Sequence, residues 1–227
     1  MTNIRTASTA VRQFLVGAFA SMAIAVIPAS ASADLVFELT LDGCSAGCGS
    51  SGIPPFGSIT LHQVDANTVE VTEDLADDVE FALTGAGDSI LFNITDGKTV
   101  VLSDISDGFT LDTSGPPIHA GGGFGDFDYG IRCSGCGHGG SNPLPGPLLF
   151  TTTDGTGLQV TDFVGNTGGF FFAADIINMT TGQTGVVATE GPCTSNCADI
   201  PSVPEPQSLS LVALALLGLT VFCRKPA

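Results

Sequence analysis

From Asp34 onward the apolar residues of the chain recur mostly at every second position. That spacing limits the fold more than any other feature, because a helix needs apolar side chains three and four residues apart, whereas a strand buried on one face needs them two apart. In DLVFELTLD, Phe37, Leu39 and Leu41 share a face, and in GSITLHQ Ile59 and Leu61 do. Val69 and Val71 repeat the pattern beyond the turn-forming Asp65-Ala66-Asn67, which predicts a hairpin. Val79, Phe81 and Leu83 come next, then Ile90 to Ile94 and Lys98 to Leu102, with Asp96-Gly97 predicting a second hairpin between the last two. No stretch of this region sustains helical spacing, so no long helix is expected.

Beyond Asp112 the texture changes. Ser114 to Gly125 and Cys133 to Pro147 are rich in Gly, Pro and Ser and read as loops, with a short strand at Asp126 to Ile131 between them. Strands resume at Leu148 to Thr153, Leu158 to Val164 and Phe170 to Ile177. About ten short strands predict an all-β fold, a single β-sandwich of jelly-roll-like order with Gly/Pro-rich loops, since two packed sheets hide the edges of so many strands. A β-helix is the competing architecture, but no fixed repeat period supports it.

The two ends depart from this pattern. Arg5 and Arg12 precede an apolar run from Phe14 to Ile27, and Ala31-Ser32-Ala33 supplies the small residues that a signal peptidase reads. Residues 1–33 are therefore expected to be a secretory signal peptide with a signal helix, cut between Ala33 and Asp34. Leu41-Asp42-Gly43-Cys44 bears a faint likeness to a lipoprotein box, but its acid and the lack of an apolar run before it oppose that reading. Residues 201–227 combine Val203, Pro204, Glu205 and Pro206 with an apolar run over 208–223 and a basic end over 224–227 that holds Arg224 and Lys225. The run predicts a transmembrane helix, although about 15 apolar residues span only roughly 23 Å of a ~30 Å hydrocarbon core. Arg224 and Lys225 would act as stop charges on the cytoplasmic side, leaving residues 34–200 outside as the exported domain.

All 23 acids lie between Asp34 and Glu205, where Lys98 and Arg132 are the only bases. A surface so acidic repels nucleic acid and anionic lipid, so no nucleic-acid partner is expected, and it leaves divalent cations open. Asp126 and Asp128 are weak calcium candidates, and no other cofactor or metal is expected. Glu73, Asp74, Asp77 and Asp78 also cluster in sequence; like Asp126 and Asp128 they miss the pattern of alternating acids closed by a later Glu, and they read as a solvated face.

Six cysteines of the exported region form three close pairs, Cys44 with Cys48, Cys133 with Cys136, and Cys193 with Cys197. In an exported protein these read first as disulfides, three local bridges being the simplest pairing, although spacing alone does not choose the connectivity. Zinc is the rival, since Cys133-Ser134-Gly135-Cys136-Gly137-His138 groups two thiols with an imidazole, but a fourth ligand would have to come from elsewhere.

Enzyme signatures are weak. No Gly-x-Ser-x-Gly elbow occurs, and His62, His119 and His138 are scattered. Gly121 to Gly125 lacks the following Lys and helix of a phosphate loop. With 23 acids, some carboxylate pair suited to glycoside hydrolysis always looks suggestive, so that signal decides nothing. A chain without Trp and with a single Tyr has few of the aromatic faces that sugar platforms use. Asn93-Ile94-Thr95 and Asn178-Met179-Thr180 match the glycosylation triplet, which is common by chance.

The motif at Pro204, Glu205 and Pro206, the apolar run and the basic end together resemble the PEP-CTERM sorting tail of exported proteins in Gram-negative bacteria that make extracellular polysaccharide. The resemblance covers about 25 residues and implies recognition by exosortase, a membrane-embedded transpeptidase-like enzyme that cuts near the motif. Two bases followed by Pro226-Ala227 are fewer than many members carry. The resemblance attaches no activity to the body. The expected protein is a non-enzymatic one, exported by the secretory pathway through an inner-membrane intermediate to the cell surface or the extracellular matrix, with a structural or adhesive role. Its expected partners are signal peptidase and exosortase as processing enzymes, the membrane through the tail helix, and extracellular polysaccharide. A secreted calcium- or carbohydrate-binding module, or a hydrolase, remains the alternative.

Overall fold

The computed structural model describes residues 34–49, 55–84 and 87–193. The expected signal helix and transmembrane helix lie outside the described residues; among those described, no helix is long and apolar enough to cross a membrane.

The described chain is all-β. In order it forms β1 (Leu35–Glu38), β2 (Leu41–Asp42), β3 (Gly57–Gln63), β4 (Thr68–Leu75), β5 (Val79–Phe81), β6 (Ile90–Ile94), β7 (Val101–Ser103) and β8 (Phe109–Leu111). There follow β9 (Ile118–Ala120), β10 (Gly125–Phe127), β11 (Tyr129–Cys133), β12 (Leu148–Thr153), β13 (Phe163–Val164), β14 (Phe172–Asn178) and β15 (Thr184–Thr189). One antiparallel sheet has the order β1-β3-β4-β12-β7, and a larger one has β2-β15-β14-β6-β11-β8 with β5 on β14 and β13 on β6. β9 and β10 form a separate two-stranded ribbon.

Alternation in the sequence translates directly into inward-facing side chains. Ile59 and Leu61 on β3, Val69 and Val71 on β4, and Leu148 and Phe150 on β12 are buried on one face of the smaller sheet. They share a core with Phe81, Ile90, Phe92, Ile131, Phe172 and Ile176 of the larger sheet. Phe92 joins the two layers, with ring centroids 5.7 Å from Phe150 in the facing sheet and 5.5 Å from Phe163. Phe37 of β1 meets Phe172 edge-on at 4.8 Å. Such offset and edge-on pairs add roughly 0.5–1.5 kcal/mol each beyond the area that they bury.

The predicted β3–β4 hairpin is present with Gln63 opposite Val69. Asp65 turns it by accepting the Asn67 N–H at 2.8 Å. The second predicted hairpin is not there. β6 belongs to the larger sheet and β7 pairs with β12 of the smaller, so Asp96-Gly97, with Gly97 at φ +86°, carries the chain from one sheet to the other. DLVFELTLD likewise divides between sheets: the Leu39 N–H reaches Gly57 O, whereas the next amide, Thr40, reaches Ala188 O. Leu41 therefore leaves the shared core and packs on the opposite face of the larger sheet.

Four further expectations are corrected. The Ser114 to Gly125 loop contains β9, and with β10 it covers Leu91, Ala173, Val186 and Ala188 on the outer face of the larger sheet by means of Ala120, Phe124 and Phe127. The Leu158 to Val164 strand is mostly a 3-10 turn at Val160–Asp162, closed by reciprocal bonds between Gln159 and Asp162, with only β13 extended. Asp126 to Ile131 splits at Asp128 into β10 and β11. The hairpins β3–β4 and β14–β15 each stay within one sheet, unlike a jelly-roll, whose consecutive strands pass between sheets.

Candidate functional site

Val203, Pro204, Glu205, Pro206, Arg224, Lys225, Ala31, Ala33 and Cys197 lie outside the described residues. Asp34 is described, and its carboxylate sits 2.6 Å from His62 Nδ1.

Two of the three cysteine pairs are described on both sides. Cys44 is bridged to Cys48, and Cys133 to Cys136, each with Cα atoms 5.5 Å apart. Cys193 is also disulfide-bonded. Bridges over loops of four and three residues pin turns; loops this short remove little chain entropy. The bridge at Cys133 and Cys136 occupies both thiols that zinc would need. Among the described residues one group of three potential ligand side chains converges, Asp42 with Cys44 and Cys48. Its carboxylate is taken up by the Cys44 and Cys48 N–H groups, both at 2.9 Å, so it acts as a cap for the bridged turn.

Asp126 and Asp128 line an open cavity of about 470 Å³ together with Asn93, Asp96 and Asn166. Asp126 is engaged by His119 Nδ1 at 2.8 Å, and the Asp128 N–H donates to Asn93 Oδ1 at 2.7 Å. The glycosylation triplets have structural uses. Asn93 is buried and makes that bond, while buried Asn178 accepts the Thr180 and Thr181 N–H groups and donates to Asp78.

Glu73 does not belong to a solvated face. It sits on β4 in line with Val69 and Val71, opposite Ile59 and Leu148, and is fully buried. Neither carboxylate oxygen has a partner, and burial holds its pKa well above the ordinary range.

A further polar constellation among the described residues was not singled out by sequence. On the outer face of the larger sheet Asp88, which precedes β6, Asp112, which follows β8, Arg132 of β11 and Asp175 of β14 lie close together. Arg132 Nη2 pairs with Asp112 Oδ2, and its Nε is 3.5 Å from Asp88 Oδ1. Asp112 Oδ1 accepts the Ser114 N–H at 2.7 Å, and Asp175 accepts the Thr84 N–H at 2.6 Å. Burial, reinforced by the bond to Asp112 and its charge, lifts Asp88 to about 7 against the pull of Arg132. Asp112 goes the other way, to about 2: burial raises it, but bonds from Ser114, Asp88 and Arg132 outweigh that. Asp175 is lifted by burial to about 6 although Thr84 opposes the rise. One signal was available in the sequence: Arg132 is one of two bases in an acidic body, so carboxylates had to gather round it.

Asp88, Asp112, Arg132 and the exposed His119 line a crevice of about 210 Å³. Converging carboxylates with a histidine are the constellation that hydrolysis requires. Asp88 is poorly placed for it, because its Oδ2 is shut away from solvent and its side chain is only 6% exposed.

Residues 202–225 match the family model of the PEP-CTERM protein-sorting motif. The chain thus carries the sorting signal of an exported protein handled by exosortase and directed to the cell surface. No curated protein and no solved structure matches the chain.

Proposed function

We propose that residues 34–200 form a single non-enzymatic β-sandwich that serves a structural or adhesive role at the cell surface or in the extracellular matrix. In this reading a signal peptide, residues 1–33, starts export, and the tail helix over 208–223 holds an inner-membrane intermediate until exosortase acts at Val203 to Pro206. The observation that carries the reading is the sorting motif at residues 202–225 joined to an all-β body. Two sheets that share one core, with turns pinned by local disulfides and an acidic surface, suit a protein that must persist outside the cell. Extracellular polysaccharide is the candidate partner.

Replacing Glu205 by Ala tests the sorting step by intact mass and cell fractionation of the product. Full-length protein retained in the membrane is expected; unchanged mass and location would refute the role of the motif. A deletion strain tests the matrix role: loss of surface attachment or of matrix cohesion is expected, and wild-type attachment would refute it.

A further inference from the structure

Around Asp88 the outer face of the larger sheet holds more carboxylate than it can neutralise. Arg132 is the cation there, and its Nη2 is committed to Asp112. Asp88 Oδ1 stands 3.5 Å from Arg132 Nε, and Asp88 Oδ2 has no donor from the protein and no access to water. Gly130 creates the space for this oxygen, since a methyl group at Gly130 would overlap Asp88 Oδ2. Oδ2 has therefore been given room but no partner, and burying an ionised carboxylate with one oxygen unpartnered costs far more than burying a neutral one.

One proton resolves the geometry. A protonated Asp88 is a donor, and the acceptor is Asp112, which meets the same guanidinium as Asp88, interacts with its side chain, and has its charge already stabilised by Arg132 and the Ser114 N–H. We propose that Asp88 and Asp112 share a single proton and form a proton-operated clasp that ties the start of β6, the exit of β8 and β11 together, and that losing the proton to solvent loosens this face.

The surrounding groups favour the shared proton. Asp175 on β14 faces Asp88 with like charge, which disfavours a second ionised carboxylate. Arg132 on β11 is the opposing group. His119 on β9 lines the same crevice but is mostly exposed and is compensated by Asp126 on β10. Because Asp88 is held near 7 in the fold and near 4 in an unfolded chain, its contribution to stability is complete below about pH 4 and is lost as pH rises to about 7.

The test compares the full chain, in mild detergent, with Asp88→Asn at pH 5 and pH 8. The amide of Asn is neutral at both values and donates to Asp112 as the carboxyl proton would. The wild-type melting midpoint is expected to fall between the two pH values, and the fall in Asp88→Asn to be smaller by roughly 5–10 °C. Glu73 contributes equally to both proteins and cancels in the difference. An identical fall in the two proteins overturns the clasp. Should the variant not fold, carboxyl carbon-13 shifts of the wild type decide: an Asp88 midpoint near neutrality supports the shared proton, and one near 4 overturns it.

Discussion

Replacing Glu73 by Met should make the protein more stable, although Glu73 lies in the middle strand of the smaller sheet. The wild-type side chain is fully buried between Ile59 and Leu148, with both oxygens unpartnered. A buried polar group left unsatisfied costs about 1–3 kcal/mol, and Met has nearly the same length and reach without that cost. A gain of about 2 kcal/mol corresponds to roughly 4–8 °C for a body of this size. The gain should also depend on pH. Burial raises the folded pKa of Glu73 above its unfolded value, so the proton on Glu73 supports the wild type fully below about pH 4 and that support is lost as pH rises. The difference between Met and wild type therefore widens from pH 4 upward. Thermal melts at several pH values read both effects. Glu73→Gln separates them, since it removes the pH dependence yet keeps an unpartnered polar group. A Glu73→Met protein that melts below wild type, or a gap that stays flat with pH, would refute the reasoning.

Three other outcomes follow from the same geometry. Phe92→Ala removes the ring that joins the two layers and should cost about 3–5 kcal/mol in denaturant unfolding; a loss under about 1 kcal/mol would show that the core closes over the gap. Thiol counting on the denatured exported protein should find no free thiol at Cys44, Cys48, Cys133 and Cys136, and reactive thiols there would exclude the bridges. Millimolar calcium should leave the melting midpoint within about 1 °C of the chelated protein, because Asp126 is already engaged by His119 and a binding ligand stabilises by mass action; a rise of several degrees would restore Asp126 and Asp128 as ligands.

Much of the fold was legible because alternation is a local property. Ile59 with Leu61, Val69 with Val71, and Leu148 with Phe150 each announced a face, and each is buried on it. What alternation could not show is which sheet a strand joins. Asp96-Gly97 has turn chemistry whether the chain returns to its neighbour or crosses to the facing sheet, and Leu39 to Leu41 keeps period two while changing partners. β8, β9 and β10 are three residues each, too short for a pattern to register. The sorting tail was legible as three ordered parts in about 25 residues. The carboxylate constellation was not, since Asp88, Asp112, Arg132 and Asp175 come from four separate segments and only folding brings them together. Glu73 looked like one of several neighbouring acids, although its period-two alignment with Val69 and Val71 already placed it inward.

The division of Leu35 to Asp42 between sheets lets one short segment supply an edge to each of them. β1 is an edge of the smaller sheet, β2 an edge of the larger, and the Cys193 N–H bonds to Val36 O at 2.7 Å. The described residues thus start and finish beside β1, while β7 and β8 form the opposite edges of the two sheets. Val101 on β7 and Leu111 on β8, both exposed, lie on those far edges.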